Sequence, residues 1–362
     1  MPNDFDRLQH QPPKNILIIK LSAIGDVVHS LLFLEALRNG FPGARIDWVV
    51  EEDASRIIEG HPGIDRVMVS RRKSWGREVL GETKGSFSVV REISVFLKNL
   101  RTRKYDLVID LQGLFKSGIL TGLSRGVRKI GMGDAREGAW AFLNERPVPV
   151  DYNQHAVDRY LKVAEYLGCG SAPAKGAIPI IGSEKEEIDQ VLGASGLGEG
   201  PLVAINPMAK WKTKLWEPER FAAVAAKIRD EFHCDVVFTG SGHDREVIER
   251  VTRLIKGDIL NLAGQISLKG LACLYGRCRA LVSTDTGPMH VAAAMGCPVV
   301  ALFGPTAPWR TGPYGRGHRI ISTDLDCSPC FKRRCRHMSC MKDISVEQVL
   351  AGVGEILDNE NY

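Results

Sequence analysis

The chain has 362 residues, a length that favours two domains of roughly 150 to 200 residues each. Hydrophobic residues make up 44% and charged residues 25%, the balance of a globular protein, and no apolar run approaches the roughly 20 residues that span a bilayer. The formal net charge of +5 is too small to indicate a nucleic-acid partner, so we expect none.

The positive charge is concentrated in two stretches of the amino half. One contains Arg71, Arg72 and Lys73, and the other, residues 98–104, contains four lysines and arginines. Such clusters suit anionic lipid headgroups or an anionic substrate, although a solvated basic face has the same composition. The sequence alone leaves both interpretations open.

Two features indicate the cytoplasm. The amino terminus, MPNDFDRLQHQPPK, has acidic residues, Pro and Gln where a secretory signal needs a basic start and an apolar core. Nine cysteines without a clear pairing scheme suit a reducing compartment, where they persist as thiols or metal ligands. We therefore expect a cytoplasmic protein.

In chain order, the amino half alternates short apolar runs with helical stretches. The run NILIIK at residues 15–20 predicts a buried parallel strand, and the apolar periodicity of residues 27–38 predicts a helix after it. Further strands are predicted at residues 45–50, 66–69 and 107–110.

The pattern restarts in the carboxyl half, where strands are predicted at residues 202–206, 235–239, 280–283 and 299–303. The connecting segment, residues 168–200, is rich in Gly, Pro, Ala and Ser, as expected of a hinge. Alternating strands and helices predict parallel sheets covered on both faces. We therefore expect a two-domain α/β protein, with domains at residues 1–180 and 181–362.

The first candidate site residue is Asp26. In open α/β sheets, ligands bind beyond the carboxyl ends of the strands, and Asp26 ends such a loop, LSAIGD, at the start of the predicted helix. Its carboxylate can cap the helix or take part in chemistry, and its position leaves both open. The loop lacks G-x-G-x-x-G and the chain lacks G-x-x-x-x-G-K-[ST], which argues against dinucleotide enzymes and P-loop phosphotransferases.

The second candidate is the loop PMAKWKTKLWEP, residues 207–218. It carries Lys210, Lys212 and Lys214, and precedes a helix predicted to begin near Pro218. Ammonium groups beside the free N–H groups of a helix start form a phosphate-binding arrangement. The alternative is a surface loop that happens to carry lysines, and the two tryptophans of the loop could equally be packing residues.

The third candidate, STDTGPMHVAAAM at residues 283–295, runs from a strand into an Ala-rich helix. Gly287 lets the backbone approach a ligand, Thr286 offers a hydroxyl and an amide, and the helix dipole favours an anion. His290 lies about one turn into the helix, where it can face the same anion. The Gly/Pro-rich loop at residues 304–317 is expected to wall the same site.

Together these segments resemble the lipopolysaccharide heptosyltransferases, a bacterial family that transfers heptose from ADP-heptose to the inner core. The resemblance covers residues 15–357, and its most specific pieces are KLSAIGDVVHS (20–30), STDTGPMHVAAA (283–294) and VVALFGPT (299–306). Three further segments look most like the heptosyltransferase I branch of the family: RIDWVVEE (45–52), YDLVIDLQGLFKS (105–117) and NQHAVDRYL (153–161).

The resemblance implies a GT-B fold, in which two Rossmann-like domains face each other across a cleft. It places the acceptor on the amino half and the nucleotide on the carboxyl half. It also implies an inverting reaction that needs no metal, a monomer without cofactor, and peripheral contact with the cytoplasmic face of the inner membrane.

The resemblance further assigns roles to residues. Inversion needs a base that takes the proton of the acceptor hydroxyl, and Asp26 matches the family's base. The implied contacts to the donor, ADP-heptose, are Thr213, Lys214, Asp285, Thr286, Gly287 and His290, of which Lys214, Thr286, Gly287 and His290 would stabilise the diphosphate. The implied contacts to an anionic acceptor, Kdo2-lipid A or a related core, are Arg71, Arg72, Lys73 and Arg136.

Two segments depart from the family pattern. Near the nucleotide ribose the family often has an acidic residue, and here GSGHDRE offers Asp244 or Glu246. The tail carries four clustered cysteines and His337, a set that suits a zinc or iron–sulfur site without the spacing of a standard finger. A structural metal therefore stays open at Cys327, Cys330, Cys335 and Cys340.

Three other functions stay open as alternatives. A heptosyltransferase II would act on an already heptosylated core, and the cysteine-rich tail favours it while the amino-half segments favour the first enzyme. A non-catalytic lipopolysaccharide-binding protein on the same fold has no use for a base such as Asp26 opposite an anion site. A nucleotide-sugar epimerase shares the two-domain fold but acts on no lipid acceptor.

Overall fold

The computed structural model describes residues 11–79, 86–133, 135–170, 176–197 and 200–359. The described chain forms two compact units divided between Pro179 and Ile180. None of the described helices combines the length and the apolarity that crossing a membrane requires.

The amino unit is built on a five-stranded parallel sheet. Its strands lie in the order β3-β2-β1-β4-β5, with β1 in the centre. Residues Ile16 to Ile19 of β1 are fully buried, because both faces of the sheet are covered by helices. The strands are β1 (Asn15–Ile19), β2 (Arg45–Glu51), β3 (Arg66–Ser70), β4 (Tyr105–Asp110) and β5 (Gly126–Gly131).

The helices of the amino unit pack on both sides of this sheet. On one side Trp75 and Phe96 meet edge to face, with ring centroids 5.5 Å apart, over the buried side chains of Leu17, Val49 and Met68. The helices are α1 (Ile24–Gly40), α2 (Glu52–Ile58), α3 (Arg72–Val79), α4 (Ser86–Leu100), α5 (Phe115–Leu123) and α6 (Ala156–Tyr166), with a short 3-10 turn at Ala139–Phe142.

The carboxyl unit is built on a six-stranded parallel sheet in the order β11-β10-β9-β6-β7-β8. Counted from its first strand outwards, this is the order 3-2-1-4-5-6 of a Rossmann sheet, and the amino unit has the same order without the sixth strand. The strands are β6 (Leu202–Asn206), β7 (Asp235–Phe238), β8 (Leu260–Asn261), β9 (Ala280–Thr284), β10 (Val299–Phe303) and β11 (Arg319–Ser322).

Helices cover this second sheet as well. The last helix buries Val349, Val353 and Ile356 against the sheet and its neighbouring helix. The helices are α7 (Gly182–Ala194), α8 (Pro218–Phe232), α9 (Arg245–Thr252), α10 (Leu268–Tyr275), α11 (Gly287–Ala294), α12 (Pro308–Thr311), α13 (Ser339–Lys342) and α14 (Val346–Leu357).

The strands predicted from apolar runs are all confirmed to within two residues, as is the helix beginning at Pro218. The structure adds three strands that have no apolar run. β5, GVRKIG, and β11, RIIS, are edge strands with exposed positions, and β8 has only two residues. The segment expected to act only as a hinge, residues 168–200, contains helix α7.

Candidate active site

The candidate residues lie where strands end. In the amino unit, β1 leads into the Asp26 loop, β2 ends at Glu51, and β3 leads to the basic stretch that begins at Arg71. In the carboxyl unit, β6 leads to Lys214 and β9 to Asp285. The carboxyl ends of parallel strands share one edge of their sheet, so each unit gathers its own set of polar side chains there.

Asp26 lies in the first turn of α1 and is half-buried. Its Oδ2 accepts a hydrogen bond of 3.1 Å from the backbone N–H of Ala23, which is a helix-capping contact. This bond occupies one carboxylate oxygen, and a carboxylate has about four acceptor positions. Capping the helix and accepting a proton are therefore compatible roles for this residue.

The backbone that leads to Asp26 is held by the loop after β4. Gln112 Oε1 accepts hydrogen bonds from the N–H groups of Leu21 and Ser22, at 3.1 and 3.0 Å. Gln112 is positioned in turn because the buried Asp110 carboxylate accepts hydrogen bonds from its N–H and that of Gly113, at 2.8 and 3.0 Å. The segment DLQGL thus fixes the geometry of the Asp26 loop.

The buried side chain of Lys20 interacts electrostatically with the carboxylate of Asp26. Lys20 Nζ donates to the carbonyl of Leu111 at 3.1 Å and to the Tyr160 hydroxyl at 2.7 Å. Burial lowers the pKa of Lys20, and the Asp26 carboxylate opposes this effect. The two side chains are therefore close enough to attract each other electrostatically.

The three predicted acceptor cations of the basic stretch are paired with carboxylates. Arg71 Nε lies 3.3 Å from Glu52, and its Nη1 lies 3.1 Å from Glu92. Lys73 Nζ lies 2.5 Å from Asp53, which is the main reason that the pKa of Lys73 is raised. The sequence suggested free cations, but acidic residues from neighbouring elements already compensate them.

Glu51 is the buried centre of this cluster. Burial works to raise the pKa of Glu51, but hydrogen bonds and charges from Lys116 and Arg72 outweigh it and hold the pKa below its usual value. Arg72 and Lys73 approach the carboxylate at 3.1 and 3.4 Å, and Lys116 at 2.9 Å. Lys116 also donates to Ser22 Oγ at 2.8 Å, which joins the cluster to the Asp26 loop.

Arg136 is held at the same edge of the sheet by the loop that follows β4. Its backbone N–H donates to the carbonyl of Gly113 at 2.9 Å, and its exposed guanidinium lies 6.0 Å from the ring of Tyr152. Gly113 has φ +63°, which favours glycine, and its turn carries the Arg136 segment next to Gln112. Of the predicted acceptor cations, Arg136 is the one for which no ion pair is found among the described residues.

In the carboxyl unit, Lys214 is held by Asp285. Lys214 Nζ lies 2.6 Å from Asp285 Oδ2, and the same oxygen accepts a 2.5 Å hydrogen bond from Thr306 Oγ1. Asp285 is buried, and Lys214 is mostly buried. The Asp285 carboxylate therefore fixes the position of the Lys214 ammonium group. The sequence analysis had instead counted Asp285 among the direct contacts to the donor.

Two cations lie over one indole beside this pair. Lys214 Nζ is 4.7 Å and the Arg333 guanidinium 4.8 Å from the ring centroid of Trp211. Thr213 is buried and donates to the carbonyl of Lys332 at 2.9 Å, so it ties the lysine loop to the cysteine-rich segment. Arg333 and Lys214 thus contact the same ring, a relation that their separation in the sequence conceals.

The start of α11 supplies the remaining predicted donor contacts. Thr286 is the residue before the helix and makes no side-chain capping bond, so its hydroxyl does not occupy the N–H groups of the first turn. Gly287 begins the helix, and His290 is buried one turn further along. The helix start and Lys214 lie on either side of Asp285, an arrangement that suits an anion.

The family model described as "Glycosyltransferase family 9 (heptosyltransferase)" matches residues 93–341, which is more than half of the chain. The chain belongs to glycosyltransferase family 9. Its α/β fold with two Rossmann-like units is the predicted GT-B architecture.

Relatives of this glycosyltransferase match it over nearly their whole length. The lipopolysaccharide heptosyltransferase 1 of Pseudomonas aeruginosa is 31% identical over 91% of this chain and 89% of its own. A family 9 glycosyltransferase structure from Veillonella parvula has a TM-score of 0.81 and 27% identity, covering 95% and 97% of the two chains. The Escherichia coli heptosyltransferase WaaC, solved with ADP, has a TM-score of 0.75 and 28% identity, covering 94% and 99%.

The structure gives Asp244 and Trp216 of this glycosyltransferase structural roles. Asp244 accepts hydrogen bonds from the N–H and hydroxyl of Ser241, at 2.8 and 2.6 Å, and so caps a short 3-10 turn at Gly242–Asp244. Trp216 is a packing residue: it is buried against Phe221 and donates to the carbonyl of Ile344 at 3.1 Å. Lys116, Arg333 and the buried Lys20 were missed as site residues, since their partners are distant in sequence.

The cysteine-rich segment is anchored to the loop after β10. Ser328 Oγ donates to the carbonyl of Gly304 at 2.6 Å, and the N–H of Phe331 donates to the carbonyl of Pro305 at 2.7 Å. Burial raises the pKa of Cys340, and the other three thiols of the segment add to the effect. In the described part of the chain, however, no three His, Cys, Asp or Glu side chains are already arranged to hold a metal.

Proposed function

We propose that this glycosyltransferase transfers L-glycero-D-manno-heptose from ADP-heptose to the Kdo region of Kdo2-lipid A, as a heptosyltransferase I. Relatives named lipopolysaccharide heptosyltransferase 1 from Pseudomonas aeruginosa, Escherichia coli and Salmonella typhimurium are 28% to 31% identical over most of the chain. The observation that carries the proposal is the Lys214–Asp285 pair at the start of α11. The ammonium group of Lys214, which Asp285 holds in place, and the start of α11 suit an anion, in a chain that also keeps Asp26 at the start of α1.

The proposed step is a single displacement with inversion. Asp26 takes the proton of the acceptor hydroxyl while the hydroxyl oxygen bonds to the anomeric carbon of heptose, and the bond from that carbon to the diphosphate oxygen breaks. ADP leaves with both electrons of the broken bond.

The departing diphosphate gains negative charge, which the protein must stabilise. We assign this role to Lys214, Thr286, the N–H of Gly287 and His290, with Thr213 bracing the loop. Asp285 holds Lys214 in place by its 2.6 Å contact. Because these cationic and dipolar groups are present, the proposal requires no metal.

The acceptor carries the carboxylates of Kdo and the phosphates of lipid A. Arg136 is exposed and can meet such an anion directly. Arg71, Arg72 and Lys73 are paired with Glu52, Glu92, Glu51 and Asp53, so they contribute to the acceptor site by sharing or exchanging a carboxylate partner. We propose that the enzyme works as a monomer on the cytoplasmic face of the inner membrane.

The deciding experiment offers the purified protein ADP-heptose with either Kdo2-lipid A or its heptosylated product. We expect extension of Kdo2-lipid A, seen as a mass increase of one heptose, with release of ADP. Extension of the heptosylated product alone would identify a heptosyltransferase II. ADP binding without transfer to either acceptor would favour the non-catalytic lipopolysaccharide-binding protein.

A further inference from the structure

Helix α5 presents its large apolar side chains to solvent. Phe115, Ile119 and Leu123 recur every fourth residue, and are 50%, 36% and 38% exposed. The face that the helix turns to the core holds the small residues Ser117, Gly118 and Thr121, with Leu120 partly buried beside them. A helix that only covers a sheet does the reverse, burying its large apolar residues and exposing its polar ones. The exposed stripe therefore calls for a partner.

A tryptophan extends this stripe. Trp140 is 63% exposed and lies in the 3-10 turn Ala139–Phe142, which packs against α5. The close packing depends on Gly118, where an added Cβ would lie 2.6 Å from the Phe142 ring and 3.2 Å from Ala139. Phe142 also meets Phe115 edge to face, with ring centroids 5.8 Å apart. The turn thus holds Trp140 beside the apolar face of the helix.

Cations surround the carboxyl-terminal end of the stripe. Arg101 Nη1 donates to the carbonyl of Leu123 at 2.6 Å, and Lys129 Nζ donates to the carbonyl of Gly122 at 2.9 Å. Partial burial and the positive charge of Arg101 together lower the pKa of Lys129. Further exposed cations nearby in the sequence are Arg103, Lys104 and Arg125.

We propose that this surface docks on an anionic lipid bilayer. We define it by the apolar side chains Phe115, Ile119, Leu123 and Trp140 and the cations Arg101 and Lys129, and call it the α5 surface. Exposed apolar side chains rimmed by cations characterise elements that lie in a membrane interface, and Trp is favoured at headgroup depth. The cations match the negative charge of the lipid surface, whereas a second copy of the chain would bring the same cations.

The α5 surface is connected to the candidate acceptor site. Lys116, in the first turn of α5, donates to Ser22 Oγ in the loop that leads to Asp26. The nine residues of the helix span about 13 Å, so the apolar stripe begins beside this loop and runs away from it. Docking through α5 would place the Asp26 loop near the lipid headgroups. This consequence rests on the proposed function, because it assumes a lipid-anchored acceptor.

The first test measures binding of the full-length protein to extruded vesicles. Vesicles of phosphatidylcholine containing one third phosphatidylglycerol are compared with pure phosphatidylcholine by co-sedimentation at low salt, without acceptor lipid. Wild type should prefer the anionic vesicles. The variant Phe115→Ser/Ile119→Ser/Leu123→Ser and the variant Trp140→Ser should each bind about tenfold more weakly or less, since they remove apolar area from the interface.

Matched controls come from exposed apolar residues of the carboxyl unit. Leu254→Ser and Ile181→Ser remove side chains that are 59% and 56% exposed, and they should leave vesicle binding unchanged. The charge variant Arg101→Gln/Lys129→Gln should lose about fivefold per cation and depend less on salt. Unchanged ADP affinity and melting temperature would show that each variant is folded.

Equal vesicle binding by the stripe variants and the controls would overturn the proposal, as would a wild type that ignores anionic vesicles. A stripe variant that changes oligomeric mass but not vesicle binding would identify a protein–protein interface instead.

A second experiment compares transfer to Kdo2-lipid A in vesicles with transfer to its deacylated, water-soluble form. Stripe variants should be impaired only on vesicles. Failure of wild type on both forms would refute the proposed function, while vesicle binding would still test docking.

Discussion

Lys214 Nζ and Asp285 Oδ2 lie 2.6 Å apart, on two loops separated by 71 residues of sequence. The same carboxylate oxygen also accepts a hydrogen bond from the hydroxyl of Thr306. A buried carboxylate repels a diphosphate, so Asp285 is better understood as the residue that orders the ammonium group. Asp285 therefore has a different role from the one expected, and variants of Asp285 and Lys214 can distinguish the roles of the two residues.

Lys214→Ala should weaken ADP binding by about 1.5 to 3 kcal/mol, the usual contribution of a hydrogen bond to a charged group. Asp285→Asn should weaken it less, and should have no further effect when Lys214 is already Ala, because its action passes through the lysine. Titration calorimetry with ADP measures both. Lys212→Ala, an exposed lysine in the same turn, is the control. Full ADP affinity in Lys214→Ala would remove the phosphate-site assignment.

Arg333 should contribute to the same anion site, because it shares the Trp211 indole with Lys214. For Arg333→Ala we expect ADP affinity to fall by about tenfold, with adenosine affinity unchanged, since only the phosphates respond to the lost charge. Arg334→Ala is the matched control, an exposed arginine at the next position. Should both arginine variants bind ADP equally well, the stacking on Trp211 has no part in donor recognition.

The sequence predicted the framework better than the site. Central strands such as β1 are buried on both faces and therefore form continuous apolar runs, which a single sequence reveals. Edge strand β5 has polar, half-exposed positions and carries no such signal. The motifs placed Asp26 and Lys214 correctly at strand ends, because a loop position depends only on the strand before it.

Sequence patterns could not predict ion pairs between residues that lie far apart in the chain. Arg72 and Lys116 converge on Glu51 from elements 21 and 65 residues away, so their charges could not be recognised as compensated. The exposure of Phe115 was equally hidden, since its spacing within α5 is that of an ordinary buried face. In each case the missing information is which elements pack together.

Asp26→Asn should abolish transfer while leaving ADP affinity intact. Asn keeps the shape and the capping contact to Ala23 but cannot accept the acceptor proton, so kcat should fall by about 10² to 10⁴-fold. Asp26→Ala should show the same loss of kcat and also lose about 1 kcal/mol of stability, because the cap is removed. Steady-state kinetics and thermal unfolding separate the two effects. An Asn variant with more than a tenth of wild-type activity would leave Asp26 with the capping role alone.

Chelation should leave transfer intact, since protein cations meet the leaving group. Loss of turnover in EDTA that Mg²⁺ restores would contradict this expectation. The sequence leaves a structural metal open at Cys327, Cys330, Cys335 and Cys340, and elemental analysis of the purified protein would detect it. The N–H of Met338 donates to Cys335 Sγ at 3.5 Å and is the main reason that the pKa of Cys335 is lowered. Cys335 should therefore alkylate at lower pH than an ordinary thiol in metal-free protein, and bound zinc should protect it.

The acceptor cations should differ according to their partners. Arg136→Gln removes a charge for which the described residues supply no ion pair. We therefore expect the acceptor KM to rise, while the melting temperature and the ADP affinity stay unchanged. Arg72→Gln removes a partner of the buried Glu51, so it should raise the acceptor KM less and lower stability, because the carboxylate loses compensation. Wild-type acceptor KM should rise with ionic strength, and the Arg136 variant should respond less. An acceptor KM that is the same in wild type and Arg136→Gln at low salt would mean that Arg136 only solvates the surface.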